Sequence, residues 1–199
     1  MKSKGTAKKK STLFRIGITG SPGTGKRSVA EALSRFTGLK TIFVGEVAIQ
    51  EGYGIWRSGE FIVNTRKLKG KIPTMGRIVC GHLLSDVVPP EDLDFVAILR
   101  CSPEELRRRY SRRGYSRHKM RENIEAELLD LVSHKALATY GREKVSEFDT
   151  SGAKDPSIVA KRILRTIQRK LPSQFGNVVD WAARASRSRD SLEHVLEGE

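Results

Sequence analysis

Residues 16–30 read IGITGSPGTGKRSVA, and this stretch decides the fold. It completes an apolar run from Leu13 to Thr19 that is rich in strand formers and ends at once in a Gly-rich turn. The run reads as a buried strand. Beyond the turn, Val29, Leu33 and Phe36 recur at i, i+4 and i+7, one face of a helix, and Gly38 stands as its C-terminal stop. Gly20, Gly23 and Gly25 allow a tight bend that turns backbone N–H groups toward an anion. The helix adds its positive N-terminal end, and Lys26 adds a mobile cation for β- and γ-phosphates. The strict phosphate-loop pattern places Ser or Thr directly after the lysine. Arg27 stands there instead, and Ser28 follows it.

Outward from the loop, strands alternate with helices. Residues 40–44 (KTIFV), 77–80 (RIVC), 94–99 (DFVAIL) and 144–150 (KVSEFDT) read as further strands. Ser102 with Glu105 forms a capping box, Pro103 takes the first helical position, and that helix ends at Arg113-Gly114. Met120, Ile124, Leu128 and Leu131 or Val132 predict one long helix. Asp155-Pro156 opens a last helix with Val159, Ile163 and Ile167 inward. Residues 46–75 hold Gly, Trp and scattered apolar residues without a clear period. The alternation predicts a five-stranded parallel sheet with helices on both faces. The ligand site of such a sheet lies at the carboxyl ends of its strands, where Gly20, Cys80, Arg100 and Asp149 fall. If the third and fourth strands flank the first, Cys80 and Cys101 are two strand spacings apart, about 9–10 Å, too far for a disulfide.

The chain has 199 residues and a formal net charge of +14. Lys2, Lys4, Lys8, Lys9 and Lys10 form an acid-free basic tail over residues 1–11. A second basic cluster runs from Arg107 to Arg121, in which Arg107 to Arg109 read as a solvated helix face. Such clustering points to a polyanionic partner, nucleic acid first, with Tyr110 and Tyr115 as candidates for base stacking. Two cysteines argue against a disulfide framework and for a reducing compartment. The absence of a long apolar run or an apolar leader predicts no membrane span and a cytoplasmic protein. Residues 12–171 read as the folded domain and 172–199 as a C-terminal tail.

The form Gly-x-Pro-Gly-x-Gly-Lys-x-Ser over residues 20–28 resembles the adenylate kinase branch of the phosphate-loop kinases, in which the hydroxyl stands second after the lysine. The order and spacing of GSPGTGK, VGEVA, IVCGH, the LR that ends the fourth strand, RRGYSRHKMRENIEAE and DTSG resemble the atypical adenylate kinase of isoenzyme-six type across roughly residues 13–170. The resemblance implies a nucleoside monophosphate kinase-like P-loop fold with a short lid over residues 110–121 and a monophosphate-binding segment over 45–70. It implies transfer of phosphate from ATP to AMP, ATP hydrolysis and a role in small ribosomal subunit maturation. Its implied partners are a small-subunit ribosomal protein and pre-ribosomal RNA. Gly23, Gly25, Lys26, Arg27, Ser28 and the lid residue Arg113 would hold ATP, with Ser28 at Mg²⁺. Gly45 and Glu46 would open the monophosphate segment. Lys26, His82 and Arg113 would act in catalysis. The family carries Asp-x-His at the end of the third strand, where this chain has Cys80-Gly81-His82. A thiol is a soft ligand, poorly matched to Mg²⁺. Asn64 likewise stands where an aspartate is expected. The alternative to an enzyme is a non-catalytic nucleotide-binding assembly factor or ribosomal-protein chaperone.

Overall fold

The computed structural model describes residues 14–169 together with 180, 181 and 183. The basic tail expected over residues 1–11 and most of the C-terminal tail expected over 172–199 lie outside those residues. Five parallel strands form the central sheet: β1 (Ile16–Thr19), β2 (Lys40–Phe43), β5 (Arg77–Cys80), β6 (Phe95–Arg100) and β7 (Val145–Asp149). Their order is β2-β5-β1-β6-β7. The strand bearing the phosphate loop is therefore central, paired with β5 through Ile18↔Cys80 and with β6 through Thr19↔Ile98.

Side chains alternate across the sheet. Ile16, Ile18, Ile78, Cys80, Ala97 and Leu99 face one layer, built from α1 (Lys26–Thr37) and α8 (Pro156–Arg169). Val79, Val96, Ile98 and Val145 face the other. That layer holds α2 (Val44–Gln50), α3 (Thr65–Leu68), α4 (Leu84–Val87) and α7 (Leu131–Tyr140). With both faces covered, β6 is buried along its whole length, which explains its unbroken apolar run. Between α2 and α3 the unparsed stretch forms a hairpin of β3 (Gly54–Arg57) and β4 (Glu60–Val63). Its period-2 pattern is short and both faces are half-open, so no alternation stood out.

Several readings need correction. Phe36 lies on α1 but is 42% exposed, under Lys161 rather than in the core. The predicted long helix is two. α6 (Arg117–Leu128) ends before Asp130, a left-handed residue with φ 53°, and α7 begins at Leu131, which is exposed. α5 (Pro103–Arg112) starts as expected, with Ser102 Oγ accepting from Glu105 N at 3.3 Å. The predicted lid thus comprises the end of α5, a turn through Gly114 and the start of α6. Within the C-terminal segment, Trp181 is buried against Leu106, Tyr110 and Ile124.

Candidate active site

The phosphate loop is held in shape by its neighbours. Gly20 has φ 141°, and a Cβ there would run into the Leu99 carbonyl of β6. Gly23 has φ 82°, and a Cβ would stand 2.6 Å from the Tyr110 ring. Neither position accepts a side chain, so the backbone alone lines the loop. Thr24 Oγ1 donates to Ser21 O at 2.9 Å and closes the turn from within. Gly25, at φ 87°, precedes the first residue of α1, which is Lys26.

Lys26 Nζ donates to the carbonyls of Gly20 at 2.9 Å and Ser21 at 2.8 Å. It is thereby folded over the loop where a phosphate would sit. Burial above all, with a smaller push from the charge of Arg113, lowers its pKa to about 8 against the opposing pull of Cys80 and Glu127. Beside it, the buried hydroxyls of Thr19 and Ser21 have no hydrogen-bond partner among the described residues. Buried polar groups ordinarily have one, so these hydroxyls fit a polar ligand.

A cavity of about 320 Å³ opens from the loop toward α5 and α8. Gly23, Gly25 and Ser28 line one side, Arg109, Arg112 and Arg113 a second, and Thr150, Ala153 and Val159 a third. Three guanidinium groups facing glycine backbone suit a polyphosphate, and the less polar wall suits a base. The residues present therefore fit ATP. Of the residues expected to hold ATP, Gly23, Gly25, Ser28 and Arg113 line this cavity, and Lys26 lies on the loop beside it with Nζ on the Gly20 and Ser21 carbonyls. Arg27 is not among the lining residues. It pairs with Glu46 of α2 and its guanidinium lies 3.8 Å above the Phe43 ring.

Arg109 was taken for a solvated residue, and this is corrected. Its Nη1 donates to Gly23 O and its Nη2 to Thr150 O, each at 3.0 Å, while its Nε donates to Glu105 at 2.9 Å. Thr150 Oγ1 in turn lies 3.0 Å from Thr24 O and 2.9 Å from Arg100 O, its one proton shared between the two carbonyls. These two residues tie the loop to α5 and to the end of β7. Tyr110 is also corrected: it is fully buried, its hydroxyl donates to Pro22 O at 2.5 Å, and Tyr115 stacks on it at 5.1 Å. Arg100 ends β6 but turns away from the cleft. It is 1% exposed and meets Glu127 at 2.9 Å, Glu147 at 2.8 Å and Asp130.

Across the loop, a second cavity of about 170 Å³ is lined by Gly45, Phe61, Val63, Gly81 and His82. His82 is exposed as a whole, yet desolvation of its ring and the Lys26 charge lower its pKa, so it is neutral at neutral pH. Asn64 caps α3, accepting from Lys67 N at 3.1 Å.

Cys80 ends β5 at 4% exposed. Burial pushes its thiol up to about 11, against the opposing charges of Lys26 and Arg27. It is therefore a neutral thiol, which does not fit Mg²⁺. Asp149 accepts from Ser151 N at 2.8 Å and Ser151 Oγ at 2.6 Å, in a turn on the edge strand. Among the described residues no three His, Cys, Asp or Glu gather as a metal site. Ser28 is a hard oxygen donor that lines the cleft, and Mg²⁺ commonly keeps its waters and takes phosphate oxygens beside one or two protein groups.

Comparison with known proteins agrees with this geometry. The AAA domain family model matches residues 16–130. A protein of Thermococcus gammatolerans named "Putative adenylate kinase" is 35% identical over 175 residues, covering 84% of this chain and 92% of its own. A Pyrococcus furiosus protein of the same name is 36% identical over 174 residues, 83% of this chain and 90% of that one. One from Archaeoglobus fulgidus is 42% identical over 137 residues, 68% and 72% of the two chains. Among solved structures, a shikimate kinase from Acinetobacter baumannii in complex with shikimate superposes with a TM-score of 0.53 at 21% identity, covering 80% of this chain and 96% of that one. A sugar kinase from Janibacter sp. HTCC2649 gives 0.50 at 17% identity, covering 78% and 95%. These two are similar in fold. With a phosphate loop, a shared chain length and this degree of identity, the chain belongs to the AAA-domain P-loop family and, within it, to the family of archaeal proteins named "Putative adenylate kinase".

Proposed function

We propose that the chain is an adenylate-kinase-type enzyme that transfers the γ-phosphoryl group of ATP to AMP and also hydrolyses ATP. The observation that carries this reading is the cleft itself: Lys26 folded over a glycine cradle, with Arg109, Arg112 and Arg113 on the facing wall. Phosphoryl transfer asks mainly for positioning and for neutralisation of spread negative charge. The loop backbone and Lys26 hold the β- and γ-phosphates. Arg113, exposed at the end of α5, supplies a planar fork to the moving group. The cavity by Gly45 and His82 receives the acceptor, and neutral His82 offers a hydrogen bond without charge. Mg²⁺ bound with ATP would supply further charge neutralisation, with Ser28 as its protein oxygen.

The family resemblance supports a place in small ribosomal subunit biogenesis in the cytoplasm, with a small-subunit ribosomal protein and pre-ribosomal RNA as partners. The charge of +14 supports the polyanion among them.

A second reading, a nucleotide-binding assembly factor without turnover, is favoured by Cys80 in place of a carboxylate and by Arg27 held on Glu46. A coupled assay of ADP formation from ATP, AMP and Mg²⁺ separates the two. The enzyme reading predicts ADP from the wild type and loss of it in Lys26→Ala. Equal silence of both proteins, with ATP still bound by the wild type, leaves the assembly-factor reading.

A further inference from the structure

We propose that the β3–β4 hairpin together with α3 is a docking surface for single-stranded RNA. The proposal deepens and rests on the reading of this chain as an RNA partner, and it is tested without nucleotide so that its failure is distinguishable from failure of the phosphotransfer reading. It moves the contact away from the lid, where Tyr110 and Tyr115 are stacked on each other and Tyr110 is buried.

Residues 54–71 carry Arg57, Arg66, Lys67, Lys69 and Lys71, all exposed. Against them stands one acid, Glu60, already paired with Lys119 of α6. Among the described residues Arg57, Arg66, Lys67 and Lys69 enter no ion pair, and Lys71 lies 5.0 Å from the Tyr53 ring centroid. Their charge is therefore open to phosphates.

The same segment exposes flat apolar surface. Trp56 is 66% exposed and meets Phe61 edge-on at 5.4 Å, which leaves ring surface for a base. On the opposite face of the hairpin, the cross-strand pair Ile55 and Ile62 is 65% and 49% exposed. These two form the apolar side of a groove of about 440 Å³ whose rim carries Asn64, Arg66 and Lys67. A single strand uses such a combination: bases stack on an exposed ring such as Trp56 or lie in the apolar slot of Ile55 and Ile62, while the backbone tracks the cations at the rim of that slot. A double helix hides its base faces, and an acidic peptide has no bases to place on Trp56. Ile55 and Ile62 do not line the cavity beside His82, and Val63 lies at the edge of both.

The test uses the full chain without nucleotide, so its outcome is separate from that of the phosphotransfer assay. Anisotropy of a fluorescein-labelled oligouridylate of about twelve nucleotides, within the usual single-strand site size, is followed over a salt series. Arg66→Glu with Lys67→Glu should lose about ten-fold or more in affinity at low salt and show a shallower salt slope. Lys161→Glu with Arg165→Glu makes the same charge change on exposed positions of α8 and should shift affinity by less than about three-fold. Thermal melts of both double variants check the fold. RNA should also quench tryptophan emission in the wild type and not in Trp56→Phe, where Trp181 remains. No anisotropy change at low salt, or equal losses in the two double variants, overturns the proposal. So does binding of a labelled oligoglutamate on this face without binding of the RNA, which would assign it to an acidic protein.

Discussion

Nζ of Lys26 donates to the Gly20 carbonyl at 2.9 Å, so the lysine that should grip phosphate is bonded to the loop's own backbone. Burial there lowers its pKa to about 8. Bound phosphates stabilise the ammonium and raise that value again. Above about pH 8 the free lysine is increasingly neutral, so binding must take up a proton and affinity falls as pH rises. Between about pH 7 and pH 9 calorimetry should show ATP affinity falling about ten-fold, one unit of pH past the pKa being about ten-fold in charged fraction. Proton uptake near pH 8.5 should show as a dependence of the heat on buffer ionisation enthalpy. A pH-independent affinity would separate Lys26 from the phosphate.

Cys80 lies at the end of β5, where a neutral thiol offers Mg²⁺ nothing. Cys80→Asp places an oxygen ligand at that point. Mg²⁺-dependent ATP hydrolysis should rise about ten-fold or more, because single electrostatic groups at such centres are worth about 10²–10³ in rate. A folded variant with an unchanged or lower rate would show that metal positioning does not depend on this strand end.

Arg109 joins the loop to β7 through Gly23 O and Thr150 O. Arg109→Ala removes both bonds and should lower stability by about 1.5–3 kcal/mol, the range for hydrogen bonds from charged groups. ATP affinity should fall with it, since the cradle loses its outer support. Arg109→Lys, with no planar fork, should not restore both contacts. Denaturant melts and calorimetry on the same samples check this, and an unchanged melt would show the loop to be self-supporting.

Arg100 faces Glu127, Glu147 and Asp130 in the interior. Burial raises the pKa of Asp130 even with Arg100 present, and the carboxylates raise that of Arg100. Arg100→Met leaves carboxylates without their cation and should cost about 3–5 kcal/mol at neutral pH. The sign of the pH effect follows. In the variant the Asp130 carboxyl, raised by burial, keeps a folded pKa above its unfolded value, so the folded state binds more protons and gains stability as pH falls. The variant should be more stable near pH 5 than near pH 8 relative to wild type; the reverse trend would mean that these acids are not desolvated.

The legible part of the fold was the part whose periodicity is enforced by burial. β6 is covered on both faces and reads as an apolar run, and α1 carries its stripe between a Gly-rich turn and Gly38. The strand order followed too, placing Cys80 and Cys101 on strands either side of β1 or just beyond, and both are free thiols. The glycine loop with Lys26 and Ser28 stood out because phosphate binding demands those residue types in that order, whereas Arg113, which lines the cleft, came only from the family resemblance. The break at Asp130 was not legible, because a left-handed non-glycine residue leaves no mark in an apolar pattern that continues past it. Nor were the roles of Arg109 and Arg100. Both sit in charged surroundings, and only the fold decides which arginine of Arg107 to Arg109 faces the loop and which strand-end arginine turns inward. Arg27 could be read either toward the phosphate or along the helix. Glu46 and Phe43, brought near by α2 and β2, draw it off the cleft.

The central claim is that the cleft transfers a phosphoryl group to a nucleotide. It is tested most directly by following label from γ-phosphoryl-labelled ATP in the presence of AMP and Mg²⁺, with products separated by chromatography. Labelled ADP that depends on AMP and is lost in Lys26→Ala is expected, alongside some labelled inorganic phosphate. Label appearing only as inorganic phosphate, at a rate indifferent to AMP, or no release of label at all by a protein that binds ATP, would contradict it.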